Sequence, residues 1–192
     1  MKKLIAIALA LTFVLAGCAA TTPQPTQAAG NGSATPAKLG FASITMTDKS
    51  ADLTEKEGKK SGLGQADTMM CAVMVDANGK VVDIKIDAVQ AKITFDEAGK
   101  ITSDKTAAVK SKRELGDEYG MKKASPIKKE WFEQTDAIQK WMIGKTKDEI
   151  KAMKVKTNDH GTVSDEPDLV SSATITITEF IEVAVKAIEN AK

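Results

Sequence analysis

Residues 69–88 contain the pattern that most constrains the fold of this chain. An apolar run, Met69–Val75, is followed by the turn sequence Asp76–Lys80 and then by alternating apolar and charged residues over Val82–Ala88. The Asn-Gly pair within this turn is a strong β-hairpin signal because both residues tolerate positive φ. The alternation has the two-residue period of a strand with one buried face. We therefore predict an antiparallel hairpin. The inward-facing residues predicted for its second strand are Val82, Ile84, Ile86 and Ala88.

A further strand is predicted at Lys92–Phe95, before a second Asp-x-x-Gly-Lys turn at Asp96–Lys100. These turns share Asp and Gly with calcium-binding loops, but they lack the additional acidic ligands that such a loop requires. Asp and Gly are ordinary turn residues, since Asp hydrogen bonds to nearby backbone and Gly adopts positive φ. We interpret both segments as turns of an antiparallel meander.

Helical periodicity follows the strands. Residues 102–124 are polar and contain two glycines within five residues, which favours a structured loop. Ser125 followed by proline is a typical helix start, and Gly144 is a typical end. The predicted apolar face of this helix comprises Ile127, Trp131, Gln134, Ile138, Trp141 and Met142. Thr-x-x-Glu patterns beginning at Thr146 and Thr176 predict capping boxes for a short second helix and a terminal third helix. The third helix has a predicted apolar face made of Phe180, Val183, Ala184, Ala187 and Ile188.

The order of these elements predicts the fold class. Strands precede helices, without the alternating strand–helix units that form a parallel sheet. We expect an α+β fold in which an antiparallel β meander packs with two to three helices. Residues 39–192 would form this single domain, and the segment is long enough to bury one sizeable core.

Residues 1–17 have the layout of an export signal. Lys2 and Lys3 precede an apolar run, Leu4–Leu15, which is too short to span a membrane and is typical of a signal peptide. The run ends in Leu-Ala-Gly before Cys18, and this resembles the lipobox of bacterial lipoproteins, in which the cysteine is lipidated. The resemblance implies a protein anchored through Cys18 to the extracytoplasmic face of the cell membrane. An ordinary secreted protein with a free Cys18 is the alternative.

Residues 18–38 would be the lipid anchor and a flexible tether. They contain three prolines and small polar residues, with no charge before Lys38. The leader segment Leu11–Gly17 also looks like the short apolar peptides that some bacteria release from lipoprotein leaders.

Composition excludes several classes of site and partner. The chain has 27 Lys and Arg against 26 Asp and Glu, so its net charge of +1 gives no electrostatic reason to expect a nucleic-acid partner. Two cysteines and one histidine cannot build a four-cysteine zinc site or a histidine-rich metal site. Cys71 lies in an apolar run and is predicted to be a buried thiol. His160 lies in a turn composition and is predicted to be exposed rather than catalytic.

One segment, residues 168–176, is the candidate for chemistry and leads directly into the terminal helix. Its sequence, Asp-Leu-Val-Ser-Ser-Ala-Thr-Ile-Thr, resembles the D-x-x-S/T-G-A-T motif of the FMN-binding domain family. That family includes flavin subunits of membrane redox pumps and lipoproteins of extracellular electron transfer. The positions that match the motif are Asp168, Ser171, Ala173 and Thr174. Ser172 stands where the motif has glycine.

The resemblance implies FMN as the cofactor. In many family members a separate flavin transferase joins FMN to the motif threonine through a phosphoester, so Thr174 would be the attachment residue. Non-covalent binding of FMN at the same segment is the other possibility. Ser171, Ser172, Ala173 and Asp168 would shape the site. A flavin transferase and a membrane redox donor would be the partners.

Other residues fit this interpretation. The helix that follows Thr174 would offer unpaired N–H groups to a phosphate. A second stretch looks like one shared by flavin-associated lipoproteins, and it comprises Tyr119–Met121, Glu130–Trp131, Gln134 and Gly144–Thr146. The available stacking partners for a flavin ring are Tyr119, Trp131, Phe132 and Trp141.

The sequence leaves two hypotheses open. One is an electron carrier, without a substrate of its own, whose FMN performs the redox chemistry. The other is a flavin-free lipoprotein of the same fold that binds a ligand or a protein partner. A Cβ at Ser172 would resist a backbone conformation that glycine permits. Ser171, Thr174 and Thr176 also suit a strand end and a helix cap.

Overall fold

The structure is a computed structural model that describes residues 37–159 and 161–192. The predicted signal peptide, Cys18, the tether up to residue 36 and His160 lie outside the described residues. The elements in chain order are β1 (Lys38–Met46), β2 (Ala51–Lys56), β3 (Lys59–Val75), β4 (Val81–Asp96), α1 (Lys112–Leu115), a 3-10 turn (Gly116–Tyr119), α2 (Met121–Ala124), α3 (Trp131–Met142), α4 (Lys147–Lys151), β5 (Val155–Asn158), β6 (Gly161–Ser164) and α5 (Thr178–Glu189). They form a single α+β domain with an antiparallel main sheet, as the sequence predicts.

Strand β3 is the centre of the main sheet. On one edge β4 pairs with it along almost its whole length, ending with Ser61 opposite Asp96. On the other edge β1 pairs with the C-terminal half of β3, and β2 pairs with its N-terminal end. Strands β5 and β6 form a separate two-stranded sheet.

The core lies between one face of the main sheet and the two longest helices. The inward residues of β3 include Met69, Cys71, Val73 and Val75, and those of β4 are Val81, Ile84, Ile86 and Ala88. Helix α5 covers them with Val183, Ala184 and Ala187, and α3 adds Ile138 and Met142. The buried thiol predicted at Cys71 is confirmed, and burial raises its pKa to about 12. A thiol with this pKa is protonated and inert at neutral pH.

Val82 corrects the predicted inward set of β4. It is 50% exposed, whereas Val81 is buried. The pairing of β3 with β4 shifts register between Met74 and Val75, so Val75 lies opposite Val81. A bulge inserts one extra residue and reverses the side to which the following residues point. The alternation from Ile84 onwards is as predicted, but the first valine of the pair faces the core.

The two Asp-x-x-Gly-Lys segments are turns, as predicted. The Asp76 carboxylate accepts hydrogen bonds from the backbone N–H groups of Asn78 and Lys80, at 2.8 and 2.9 Å. Asp96 makes the equivalent bonds in the second turn, at 3.0 and 2.9 Å. The third residue after each aspartate, Gly79 or Gly99, has the positive φ that closes the turn.

Several predicted strand boundaries are wrong. The strand predicted at Lys92–Phe95 is the end of β4, because β4 keeps pairing with β3 through residues 89–91. Strands β1, β2 and the β5–β6 hairpin are absent from the prediction. Their apolar alternation is weak in the sequence. The inward residues of β1 are Gly40, Ala42 and Ile44, and in β2 the Leu53 side chain is exposed.

The helix boundaries also need correction. Residues 112–124 form three short helical turns rather than a loop. Helix α3 begins at Trp131, and Ser125 ends α2 instead of capping α3. Helix α5 begins at Thr178 without a side-chain cap, so the predicted capping box at Thr176 is wrong. The capping box at Thr146 is confirmed. Within the described part of the chain, no helix is long and apolar enough to cross a membrane.

Candidate functional site

A cavity of about 410 Å³, which we call the Thr174 cavity, opens at one end of the core. Its lining comes from β3 and β4 and from several residues between 112 and 134. Residues 174–176, together with Glu179 and Phe180 at the start of α5, complete the lining. Small-molecule sites in proteins have volumes of roughly 300–1,000 Å³. The Thr174 cavity is therefore large enough for a compact ligand.

The floor of the cavity exists because the inner face of the sheet changes character. Along β3 the inward positions are apolar from Met69 to Val75, but the preceding inward residues are Gln65 and Asp67. Along β4, Gln90 continues the same phase beyond Ala88. We call residues 69–75 with 81–88 the apolar half of the sheet, and the part with Gln65, Asp67 and Gln90 the polar half. This break in alternation is readable in the sequence, and it is the signal that sequence analysis missed.

Asp67 is the centre of a polar network in the cavity floor. Its buried carboxylate accepts hydrogen bonds from Lys49 at 2.8 Å, Gln65 at 2.7 Å and Gln90 at 3.3 Å. Burial by itself raises the pKa of Asp67, but these hydrogen bonds outweigh burial and hold the pKa below its usual value. The pKa of Lys49 is raised by the same bond. Asp67 is thus an ionised carboxylate whose charge is balanced by Lys49, and it is not a proton donor.

Lys112 faces the cavity with a different set of neighbours. Its ammonium lies 5.0 Å from the ring centre of Tyr119 and 5.1 Å from that of Trp131. In the described part of the chain, no carboxylate comes within salt-bridge distance of this ammonium, although Asp67 and Glu179 also line the cavity. Burial lowers the pKa of Lys112 to about 8, and the charge of Lys49 acts in the same direction.

Gln134 connects Thr174 to α3. The Gln134 side chain is fully buried, and its carbonyl oxygen accepts bonds from the Thr174 N–H at 2.9 Å and the Thr174 hydroxyl at 3.4 Å. Its amide donates to the Lys129 carbonyl at 3.1 Å and to the Ser125 hydroxyl at 3.3 Å. The orientation of Gln134 is therefore set by groups on both sides, and it holds Thr174 at the cavity wall.

Glu130 holds α2, which contributes Met121 and Ala124 to the cavity lining. The side chain is only 2% exposed, and its carboxylate accepts hydrogen bonds from the N–H groups of Met121 and Lys122, at 2.9 and 3.0 Å. These are the free N–H groups at the start of α2, so the negative charge is placed where a helix end favours it. Glu130 thereby fixes α2 against α3.

The residues of the predicted motif are distributed between surface, core and cavity. Asp168 and Ser171 are exposed on turns, and Ala173 is buried in the core. Ser172 is half-buried, and its N–H donates to the Leu169 carbonyl at 2.8 Å. Of the five predicted FMN-binding residues, only Thr174 lines the cavity. The binding roles of the other four stay predictions.

Ser172 sits in a backbone conformation that does not require glycine. Among the described non-glycine residues, positive φ occurs only at Glu57 and Lys128. Ser172 is therefore outside the left-handed region in which a Cβ is strained. The departure from the family motif at this position causes no backbone strain in this fold.

The aromatic rings divide between cavity and surface. Tyr119 and Trp131 line the cavity, as does Phe180, whose ring centre is 6.0 Å from that of Trp131. Phe132 and Trp141 are half-buried and do not line it, and the Lys145 ammonium lies over the Trp141 ring at 4.5 Å. The helical spacing of Phe180 in the sequence marks it as a core residue and carries no signal that it also lines a cavity.

The arrangement can hold a planar, partly apolar ligand. The lining combines the rings of Tyr119, Trp131 and Phe180 and the apolar side chains of Met46, Met69 and Ile175 with polar contacts from Lys112 and the Asp67 network. Searches of protein-family models, curated proteins and solved structures found no match to this chain.

Proposed function

We propose that this protein is a lipid-anchored, extracytoplasmic FMN carrier that takes part in electron transfer, with the flavin attached at Thr174. The observation that carries the proposal is the position of Thr174. The motif marks Thr174 for attachment. Thr174 also lines a cavity of about 410 Å³, together with Tyr119, Trp131 and Phe180. A bound FMN would supply reversible one- and two-electron transfer there.

The cavity residues fit such a cofactor. Tyr119 is the half-buried ring that would stack on a flat ring system, whereas Trp131 and Phe180 are only 3% and 2% exposed and complete the apolar lining. Lys112 offers a positive charge that no carboxylate among the described residues neutralises at salt-bridge distance. The first turn of α5 has no side-chain cap, so its N–H groups are available to an anion.

The exposed part of the motif fits modification by an enzyme. Asp168 and Ser171 lie on surface turns, where a transferase can contact them, and Thr174 follows at the cavity wall. The half-buried Thr174 hydroxyl makes a long 3.4 Å bond to Gln134. Such a bond is weak, so the hydroxyl can be released for reaction at small cost.

One observation favours the flavin-free alternative. The N–H and hydroxyl of Thr174 both donate to the same buried Gln134 oxygen, which is a complete structural role for a threonine. In that case the cavity would take a small planar ligand non-covalently, and the resemblance of the motif would reflect the fold alone.

Intact mass of the exported protein separates the two candidates. The wild type, produced in a host that supplies a flavin transferase, should gain the mass of FMN minus water and become yellow. Thr174→Ala should lose the added mass, whereas the matched control Thr176→Ala, which removes a second cavity threonine, should keep it. An unmodified and colourless wild type would contradict the flavin proposal.

The anchor is tested separately. Cys18→Ala should release the protein from the membrane fraction, and mature wild type should carry lipid on Cys18. Wild type that is soluble after export and lacks lipid would contradict the anchored location without bearing on the flavin.

A further inference from the structure

Lys112 is a charged group on the cavity wall whose effect on the proposed cofactor can be derived from its neighbours. Its side chain comes from α1 and lines the same cavity as Thr174–Thr176, and its ammonium lies over Tyr119 and Trp131. An ammonium has three N–H donors, and the described residues provide it with two ring faces and no hydrogen-bond acceptor. A half-buried cation of this kind favours an anionic acceptor in the space it faces.

The charges around Lys112 are unequal in effect. The charges that shift the pKa of Lys112 most come from the β1–β2 loop, β3, α5 and β4. They are Lys49, Asp67, Glu179 and Asp87, and Tyr119 is the adjacent titratable ring. Lys49 and Asp67 are paired at 2.8 Å and cancel each other. Glu179, in the first turn of α5, also lines the cavity. Lys112 and Glu179 are therefore the opposed charges that face the cavity interior.

We infer that Lys112 stabilises the negative charge of the reduced flavin ring and thereby raises the reduction potential of the cofactor. This inference rests on the proposed function. A bound flavin would take up two electrons and one proton to reach a singly charged reduced form, and Lys112 is the cavity group that would face this anion. The donor would be a quinol or a reduced flavoprotein. Lys112 donates N–H bonds to that charge and gives up no proton.

The rings beneath Lys112 explain why this residue can act on a flat ligand. Tyr119 and Trp131 hold the ammonium by cation–π contact without neutralising its charge, whereas a carboxylate would cancel it. The pKa of about 8 leaves the side chain mostly protonated at pH 7, and a bound anion would raise that pKa further.

The test is the midpoint potential of the flavinylated protein at pH 7, measured by dithionite titration against a reference dye. Lys112→Met removes the charge and keeps the length of the side chain. We expect it to weaken the reduced state relative to the oxidised state by roughly tenfold, which lowers the potential by about 30 mV for a two-electron couple. Lys112→Arg should retain most of the wild-type value. Lys123→Met, an exposed lysine outside the cavity lining, is the matched control and should change nothing.

Glu179→Gln gives an independent test with the opposite sign. Removing the opposing negative charge should raise the potential, and this variant remains informative if Lys112→Met fails to fold. A second readout is the pH at which the reduced flavin loses its N1 proton, seen in the absorption spectrum. Loss of Lys112 should raise this pH, because the anion is then less stabilised. If the role of Lys112 were purely structural, the potential and the pH of N1 deprotonation would not shift in opposite directions in Lys112→Met and Glu179→Gln.

The outcomes separate the two proposals. Wild type that takes up no flavin overturns both the FMN carrier and the role of Lys112. Flavinylated wild type whose potential equals that of Lys112→Met overturns the role of Lys112 alone. A Glu179→Gln potential that is unchanged or lower also overturns it.

Discussion

The two halves of one sheet face show how a single pair of strands can serve two purposes. In the apolar half, the inward residues of β3 and β4 are covered by α5 and α3 and form the core. In the polar half, the same inward phase carries Gln65, Asp67 and Gln90, and a cavity replaces the core. Strands β3 and β4 stay paired through both halves, from Val75 opposite Val81 to Ser61 opposite Asp96. The difference shows that backbone pairing forms the sheet, while the polarity of the inward side chains decides whether a packed core or a cavity lies against it.

The largest expected effect comes from truncating the apolar half. Ile86 is fully buried, so Ile86→Ala should lower the free energy of unfolding by about 2–5 kcal/mol. The matched control is Ile93→Ala, on the same strand in the other half, where the side chain is 49% exposed. It should cost less than about 1 kcal/mol. Ile93 has the outward phase of β4, so urea unfolding of both variants measures the cost of burial on the inward face, and equal losses would contradict the core position of Ile86.

Glycine positions test where a helix closely covers the sheet. A Cβ at Gly40 of β1 would overlap the carbonyl of Ala187 in α5, so Gly40→Ala should cost about 1–3 kcal/mol. In the polar half, the nearest atom to a Cβ at Gly64 is the Ile93 carbonyl oxygen at 3.8 Å, which is ordinary contact. Gly64→Ala should change stability by less than about 1 kcal/mol. Thermal unfolding of the pair checks this, and a neutral Gly40→Ala would contradict the close packing of α5 on β1.

Asp67 tests what holds the polar half together. Its pKa is lower in the folded protein than the ordinary 3.8, so its contribution to stability is complete above that pH and is lost as the pH falls below it. Asp67→Asn should cost about 1–3 kcal/mol at pH 7, because it removes the ion pair with Lys49 and weakens the bonds from two amides. It should also flatten the acid side of the pH–stability curve. Asp52→Asn, at an exposed aspartate, is the control. If Asp67→Asn lost stability at low pH as steeply as the wild type, the hydrogen-bond network would not lower the pKa of Asp67.

The smallest effect is expected at the edge of the network. Gln90 makes only long bonds, 3.3 Å to Asp67 and 3.5 Å to the Tyr119 hydroxyl. Gln90→Met extends the apolar face by one position and should change the free energy of unfolding by less than about 1 kcal/mol. Chemical denaturation measures it. A loss as large as that of Asp67→Asn would mean that the amide, rather than the carboxylate, organises the polar half.

The sequence predicted the elements whose signals are local. The turns at Asp76 and Asp96, the capping box at Thr146 and the alternation of Ile84 and Ile86 depend on neighbours a few residues apart. Val82 was misassigned because a bulge is a property of two paired strands, and one strand does not reveal it. The helix start was misassigned because Ser125 binds Gln134, nine residues away, instead of capping α3.

For the candidate site, resemblance to a family indicated five binding residues, of which Thr174 alone lines the cavity. Of the four aromatic residues expected to stack on a flavin, Tyr119 and Trp131 line it, and Phe132 and Trp141 do not. Lys112, Asp67 and Phe180 were missed because each has an ordinary local context. A lysine in a polar segment and an aspartate between Ala66 and Thr68 become site residues only when distant elements bring them to the same cavity.

By itself, the sequence determined that the chain forms an antiparallel sheet with helices, where its main hairpin turns, and that the Cys71 thiol is buried. These depend on period, turn chemistry and caps, which act over a few residues. Only the tertiary structure decided that Thr174, Lys112 and Asp67 share a cavity, and that Lys112 keeps an unneutralised charge there. Burial and charge pairing arise between residues far apart in the chain, so local pattern does not contain them.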